Sequence, residues 1–387
     1  MNAPKVAVVG AGIGGLSAAL ALRLRGIDVE VYEAAPEPRA TGTALGLASN
    51  ATKVLRSLGI DLTTETCCRA LEHFEFRTAR GALIRALPGA AITAETGHPF
   101  VSIHRNELIR ALRNAASDIP IHYGAEVTEI AVDRRHAWAA CAGGTQVSAD
   151  VLIGADGIRS VVRSKVAGQR PPKEYGYVLW LATVPFSHPR MLPGYTGHYW
   201  GRGQRFGLID IGGGMAYWWG AKNLPAAEAR DWHGSKAEIL SAFDDWAPEV
   251  VDVIDRTPAD AIISVPGQDR PFLKRWGSGP ITLLGDAAHP MLTSRSQGAS
   301  SAVEDGFVLA EALARIPDTV QALRAYEDRR RRRAAMLVRS SRRLNKLEQA
   351  QNPLVCAARN LGVRCVPLRS LTRNTVRPMR FDLGWTG

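Results

Sequence analysis

Lys5-Val6-Ala7-Val8-Val9-Gly10-Ala11-Gly12-Ile13-Gly14-Gly15 is the stretch that decides the fold of this chain. Its first five residues are a short β-branched run that reads as a buried strand. Glycines follow at once in the order G-x-G-x-x-G. Gly10 permits a tight turn, Gly12 lets a pyrophosphate approach the backbone, and Gly15 lets helix and strand pack closely. Leu16, Ala19, Leu20 and Leu24 then recur at helical spacing, and Gly26 sits where that helix should stop. Val29, Val31 and Tyr32 form a second strand ending at Glu33, an acid suited to ribose hydroxyls and unfavourable to a 2′-phosphate. This strand–turn–helix–strand context turns a common glycine pattern into a dinucleotide site.

Outward from it, Asn50–Leu58 and Asn106–Ala116 read as helices. Pro120–Tyr123, Val127–Val132 and His136–Ala142 read as strands. Val151–Ile153 is a further buried strand running into Gly154-Ala155-Asp156-Gly157. Aromatic residues then concentrate between Tyr175 and Trp219, in alternating strands broken by glycines. That pattern predicts an antiparallel sheet with one face on a ring-lined pocket. Ile281–Leu284 returns to a buried strand ending in Gly285-Asp286, and helices are predicted over Gln297–Arg315 and Tyr326–Gln349. The tail after Pro353 mixes helical pieces and breakers.

The bulk numbers exclude several classes. With 46% hydrophobic and 22% charged residues over 387 positions, the chain is of ordinary globular composition. Its five cysteines are odd in number and form no C-x-x-C pair, which points to a reducing, cytoplasmic setting and against zinc or any other metal site. The N-terminus shows no charged and apolar leader, and no apolar run is long enough to span a membrane. The net charge of +11 gathers late, in Arg329–Arg333, Arg339, Arg342, Arg343 and Lys346. Nucleic acid or an anionic membrane is one reading of that charge. A solvated helix face is the other, favoured because no aromatic interleaving accompanies the arginines.

Two further segments resemble the flavoprotein aromatic hydroxylases, single-component monooxygenases related to para-hydroxybenzoate and salicylate hydroxylases. Val151-Leu152-Ile153-Gly154-Ala155-Asp156-Gly157-Ile158-Arg159-Ser160 is similar to that family's Asp-Gly fingerprint, associated with both FAD and NAD(P)H. Gly285-Asp286-Ala287-Ala288-His289-Pro290 is similar to its Gly-Asp fingerprint, whose Asp binds the flavin ribityl chain. Arg105, in Ile103-His104-Arg105-Asn106-Glu107-Leu108, matches an Arg that reaches the FAD phosphates, and Arg39 matches another near the same cofactor. Singly, Asp156 and Asp286 also read as turn residues capping helices; together and in this order they indicate the cofactor.

The resemblance implies an α/β fold. A Rossmann-like FAD-binding domain (1–72, 101–172 and 269–316) is interleaved with an antiparallel-sheet substrate domain (73–100 and 173–268). A C-terminal helical region (317–387) follows. It implies bound FAD, NADH or NADPH as a transient co-substrate, and O2. The reaction would be hydroxylation or epoxidation of an aromatic or polyene-like small molecule through a flavin hydroperoxide, by a monomer or homodimer, in catabolism or natural-product tailoring. Gly10, Gly12, Gly14, Gly15, Glu33, Arg39, Arg105, Asp156, Gly157, Gly285 and Asp286 would hold FAD. The helix start at Gln297, Gly298 and Ala299 would stabilise negative charge on the reduced ring.

Departures matter too. Where the family reads H-P-x-x-P-x-x-G-Q-G, this chain has His289-Pro290-Met291-Leu292-Thr293-Ser294-Arg295-Ser296-Gln297-Gly298. Arg295 would bring a positive charge near the ring, or else face solvent. Gly42-Thr43-Ala44 replaces Gly-x-Gly, and Leu181 stands where many relatives carry Arg. Pro290, Arg295, His198 and Tyr217 are the residues nearest the expected chemistry, and His198, Tyr217 and Lys222 are the polar groups that could meet a phenol. The altered loop leaves open an oxidase or dehydrogenase on the same fold, and a ligand-binding protein without turnover is the reading from another class.

Overall fold

Val6–Val9 is the central strand of a five-stranded parallel sheet ordered Ile281–Leu283, Val151–Gly154, Val6–Val9, Val29–Glu33, Ile121–Tyr123. In the computed structural model, which describes residues 4–38, 42–133 and 136–384, this sheet is the core of the cofactor side. Helices cover it, so the central strands are apolar throughout instead of alternating. Helix Ile13–Arg23 follows the glycine turn and packs against Gly298–Arg315. Gly306 allows the approach, since a Cβ there would sit 2.7 Å from the Ala18 backbone nitrogen.

A seven-stranded sheet lies apart from the first, in the order Ile263–Asp269, Lys173–Pro185, Met215–Asn223, Gln204–Asp210, Tyr195–Trp200, His73–Thr78, Leu83–Pro88. Its neighbours are antiparallel except Tyr195–Trp200 and His73–Thr78, which run parallel. Helices Lys236–Ala242 and Pro248–Arg256 cover one face, burying Val178, Trp180, Phe206, Leu208 and Trp218. A small sheet of Ala44–Leu47, Val101–His104 and Cys68–Ala70 carries the chain between the two. The architecture is therefore α/β, a Rossmann-like sheet interleaved with an antiparallel one and followed by helices.

The long C-terminal helix spans Thr319–Glu348 and starts earlier than the expected Tyr326. Asp318 caps it, accepting from the Gln321 N–H at 2.8 Å, a polar signal upstream of the apolar periodicity. The arginine run on this helix is not a solvated face throughout. Arg330 is buried, pairing with Glu304 and Asp305 at 2.6 Å each, and Arg333 pairs with Glu304 at 2.6 Å. These ion pairs hold the helix against Gly298–Arg315. The tail forms two more helices, Pro353–Cys365 and Leu368–Val376. Among the described residues no helix is long and apolar enough to cross a membrane, and no group of acids, cysteines and histidines could hold a metal. All five cysteines are free.

Candidate active site

All five strands of the parallel sheet run the same way, so their carboxyl ends form one edge, where ligands of such sheets bind. Gly285-Asp286, Asp156-Gly157, the glycine turn and Glu33 lie along that edge in the order of their strands. Gly10 has a φ of +107°, and a Cβ on it would sit 2.6 Å from the Ala155 carbonyl oxygen, so turn and Asp-Gly loop touch. A Cβ on Gly15 would collide with the Gly10 carbonyl, and one on Gly14 would press on Leu284 at 2.7 Å. At Gly12 there is nothing within 4 Å, so this backbone faces open space at the start of helix Ile13–Arg23. The Glu33 carboxylate accepts from the Ala11 N–H at 2.7 Å and the Ala35 N–H at 2.9 Å, fixing it beside the turn with lone pairs to spare.

The two aspartates differ. Asp156 accepts from the Ser160 hydroxyl at 2.5 Å and from the Val161 and Val162 N–H groups at 2.7 and 3.2 Å. It is thus spent on the start of helix Val161–Ala167, the capping role its position also allowed. Burial raises its pKa, with those hydrogen bonds opposing. Asp286 makes no hydrogen bond or ion pair among the described residues and is accessible from the cleft. Its surroundings of protein raise its pKa, while His289 and Arg105 pull it down, which places Arg105 within electrostatic reach. Gly298, at the start of Gly298–Arg315, lies beside Asp286, 4.0 Å from its Oδ1 as measured from an added Cβ. No side chain caps that helix, so its first N–H groups are free for a ligand. Gln297 is buried and accepts from Asn50 at 3.2 Å, and Ala299 is half-buried beside it. Arg39 lies outside the described residues.

Three residues hold this edge: two escaped the sequence reading, and the third stood in it only as part of the arginine run. Arg163 is buried and donates to the carbonyls of Ala287 at 2.8 Å, Ala288 at 3.0 Å and Pro271 at 2.7 Å, fixing the Gly-Asp loop. Burial, with Arg270 nearby, pushes its pKa down to about 10. Asp305 accepts from the Gly285 N–H at 2.9 Å and lies 2.6 Å from His289 Nε2. Burial alone would raise its pKa, but His289 and Arg330 outweigh that and hold it low. Arg330 is the third. Their partners lie far along the chain, so no local spacing announces them.

The other wall is the uncovered face of the seven-stranded sheet. Cross-strand pairing puts His198, Gly207, Trp219 and Leu181 in one row, and Thr196, Ile209, Tyr217 and Thr183 in the next. Ile209 and Tyr217 pack on Ala44, with Cys67, Leu181 and Trp219 beside them, while Leu292 packs on Tyr177 and Leu179. The Gly42–Ala44 segment and the loop after Pro290 therefore meet this face, and Pro290 itself is buried. Lys222 sits one position out of phase with Tyr217, Trp219 and Ala221, so it belongs to the opposite face and not with His198 and Tyr217, correcting the expectation. The same alternation sends half of the expected pocket aromatics, Trp180, Tyr195, Tyr199, Phe206 and Trp218, into the core.

His198 is ringed by Phe74, Phe76 and Trp219, with ring centroids at 5.0, 6.1 and 5.3 Å. Burial, helped by Arg205, pushes its pKa down to about 3, so it is neutral at ordinary pH, and its Nδ1 has no partner. Tyr217 is pushed well above the usual phenol range by burial and stays protonated. Neither is poised as a general base. Arg205, unremarked in the sequence, is buried on this face; its guanidinium pairs with Glu348 and lies over the Trp219 ring at 4.9 Å. It also donates to Ser294 Oγ at 3.3 Å, tying the altered loop to the sheet. Arg295 is partly buried with its Nε unpartnered; burial lowers its pKa, with Glu348 opposing. Ser296, where the family pattern has Gly, keeps a φ of +49°, the one positive φ outside glycine among the described residues.

This geometry has known counterparts. The family described as FAD binding domain matches residues 4–341. The chain belongs to that family. The aurachin C monooxygenase/isomerase of Stigmatella aurantiaca is 32% identical over 376 residues, covering 97% of this chain and 98% of that protein. The FAD-dependent urate hydroxylase of Klebsiella pneumoniae is 32% identical over 341 residues, covering 88% and 89%. The crystal structure of Klebsiella pneumoniae HpxO complexed with FAD and uric acid superposes with a TM-score of 0.90 at 28% identity, over 97% of this chain and 96% of that one. This flavoprotein is accordingly an FAD-dependent monooxygenase of the aromatic hydroxylase type.

Proposed function

We propose that this monooxygenase oxygenates a flat, largely apolar aromatic molecule, a ring system of urate size, lying between the carboxyl edge of the parallel sheet and the Leu181–Tyr217–Trp219 face. The observation that carries this reading is the meeting of those two surfaces through Ala44 and Leu292. Ring-lined walls suit flat ligands, and few polar groups converge there to orient them.

Three features support a fit to FAD: the open approach at Gly12, the unpartnered Asp286 carboxylate, and the uncapped start of Gly298–Arg315. Gly10, Gly12, Gly14 and Gly15 with the start of Ile13–Arg23 would take the pyrophosphate, and Glu33 the adenosine ribose. Arg105 would serve the phosphates, and Arg39 is proposed there on resemblance alone. Asp286 would accept from ribityl hydroxyls. Asp156 and Gly157 act by shaping the loop against Gly10. Gln297, Gly298 and Ala299 would present N–H groups to negative charge. Bound FAD supplies the electron transfer and oxygen activation; the side chains position substrate and exclude water.

On the substrate side, neutral His198 would pair with a ring hydroxyl, carbonyl or N–H without moving a proton at working pH. Tyr217 would donate from its protonated hydroxyl. Arg295 would favour a substrate with anionic character at its edge. The test is to incubate the FAD-loaded protein with NADH or NADPH under labelled O2 against purines, quinolones, phenols and aromatic acids. Ligand-stimulated NAD(P)H oxidation with one labelled oxygen in the product is expected. Ligand-dependent reduction of the flavin without label in any product would move the assignment to a dehydrogenase.

A further inference from the structure

We infer that the C-terminal helical pair is a docking surface for an anionic lipid bilayer. From Gln349 to Phe381 the chain has six arginines and no acidic residue. Arg359 is buried against backbone carbonyls and Arg380 pairs with Glu95. Arg364, Arg369, Arg373 and Arg377 are exposed and take part in no ion pair among the described residues.

The same segment carries apolar side chains into solvent. Helix Pro353–Cys365 buries Cys356 and Arg359 and turns Leu354, Ala358, Leu361 and Cys365 outward at helical spacing. Leu354 is 78% exposed and Leu361 61%, and Leu347 on the preceding helix is 48% exposed. The stripe is continuous with its neighbours. Leu347 and Val355 line one side of a groove of about 980 Å³, and Leu347 also lines a second cavity with Ala358 and Gly362. Arg343 and Lys346 stand on the rim of the larger groove. Leucines rimmed by unpaired cations, with neither acids nor exposed aromatic rings among them, match a lipid interface. Nucleic acid would call for stacking rings, and a second copy of this face would set arginine against arginine. Of the arginine run at 329–333, Arg330 and Arg333 are tied into ion pairs with Glu304 and Asp305 and are not part of this surface.

The experiment is flotation of the FAD-loaded full chain with vesicles of phosphatidylcholine alone and of phosphatidylcholine mixed with phosphatidylglycerol. At low salt the protein is expected to float with the mixed vesicles only and to dissociate as salt rises. The Arg369→Gln/Arg373→Gln/Arg377→Gln variant is expected to lower partitioning about a hundredfold, roughly fivefold per cation. Leu354→Ser/Leu361→Ser is expected to lower it at least about tenfold. Both variants should keep their flavin content and ligand-free NAD(P)H oxidation. No flotation with mixed vesicles at low salt would overturn the inference, as would flotation unchanged by both variants. So would duplex DNA binding without flotation, or a dimer abolished by Leu354→Ser/Leu361→Ser without flotation.

Discussion

At the carboxyl edge of the five-stranded sheet, adjacent residues share one task, whereas in the seven-stranded sheet adjacent residues have opposite ones. Gly10 through Gly15 all serve a single turn, and the need of each glycine can be read from its neighbours. Trp218 and Trp219 are equally aromatic and adjacent, yet the first is buried under helices and the second lies on the cleft face with Arg205 over its ring. A turn is specified by spacing alone. A sheet face is specified by phase, and phase depends on which face a distant helix covers.

The largest expected effect tests the turn. Gly15→Ala should cost on the order of 3–5 kcal/mol, because the new Cβ meets the Gly10 carbonyl with no flexible atom to yield. Gly12→Ala should leave the stability of the FAD-free protein within about 0.5 kcal/mol and weaken FAD binding about tenfold or more. Thermal unfolding with and without FAD separates the two, and equal destabilisation by both would break the account of the turn.

Next comes the sheet. Trp218→Ala should cost about 3–5 kcal/mol, as for a large core ring with its Nε1 donating to Thr257 at 2.8 Å. Trp219→Ala should lose much less stability and raise the KM for the aromatic substrate about tenfold. Denaturant unfolding and steady-state kinetics on the pair would show whether alternation sorts core from cleft.

His198 gives a pH signature. Its folded pKa of about 3 lies below its ordinary 6.5, so the unfolded chain binds the extra proton first. Stability should therefore rise with pH across that window, and fall by up to about 1.4 kcal/mol per pH unit as pH drops through it. His198→Gln should flatten the slope, read from denaturation midpoints at several pH values. An unchanged slope would mean that His198 is solvated in the fold.

The smallest effect belongs to the altered loop. Ser296→Gly should gain about 1 kcal/mol by relieving the left-handed φ of +49°. Calorimetry would detect a gain of that size, and a loss would mean that the serine hydroxyl contributes more than the strain costs.

The comparison also explains what was legible in the sequence. The glycine turn, Glu33, the Asp-Gly and Gly-Asp loops and the helix after Gln297 were readable because each is a run of neighbours. Lys222 was placed with Tyr217 because composition carries no phase. Arg163, Arg205 and Asp305 passed unnoticed because their partners are Ala287, Glu348 and Arg330, reached only through the fold. The arginine run looked like a surface because a charged helix face and a buried ionic seam have the same spelling. Asp156 and Asp286 stand in similar motifs, but one is consumed in capping a helix and the other is open to the cleft.

The central claim is that the two sheets enclose one cleft, with cofactor on one wall and aromatic ligand on the other. It is tested most directly by titrating the FAD-loaded protein with flat aromatic ligands and following the flavin's visible band. The account expects a saturable perturbation of that band, with affinity weakened about tenfold by Trp219→Ala and unchanged by the conservative core variant Trp218→Phe. A ligand that binds by calorimetry without disturbing the flavin band, or that binds Trp219→Ala as tightly as the parent, would contradict it.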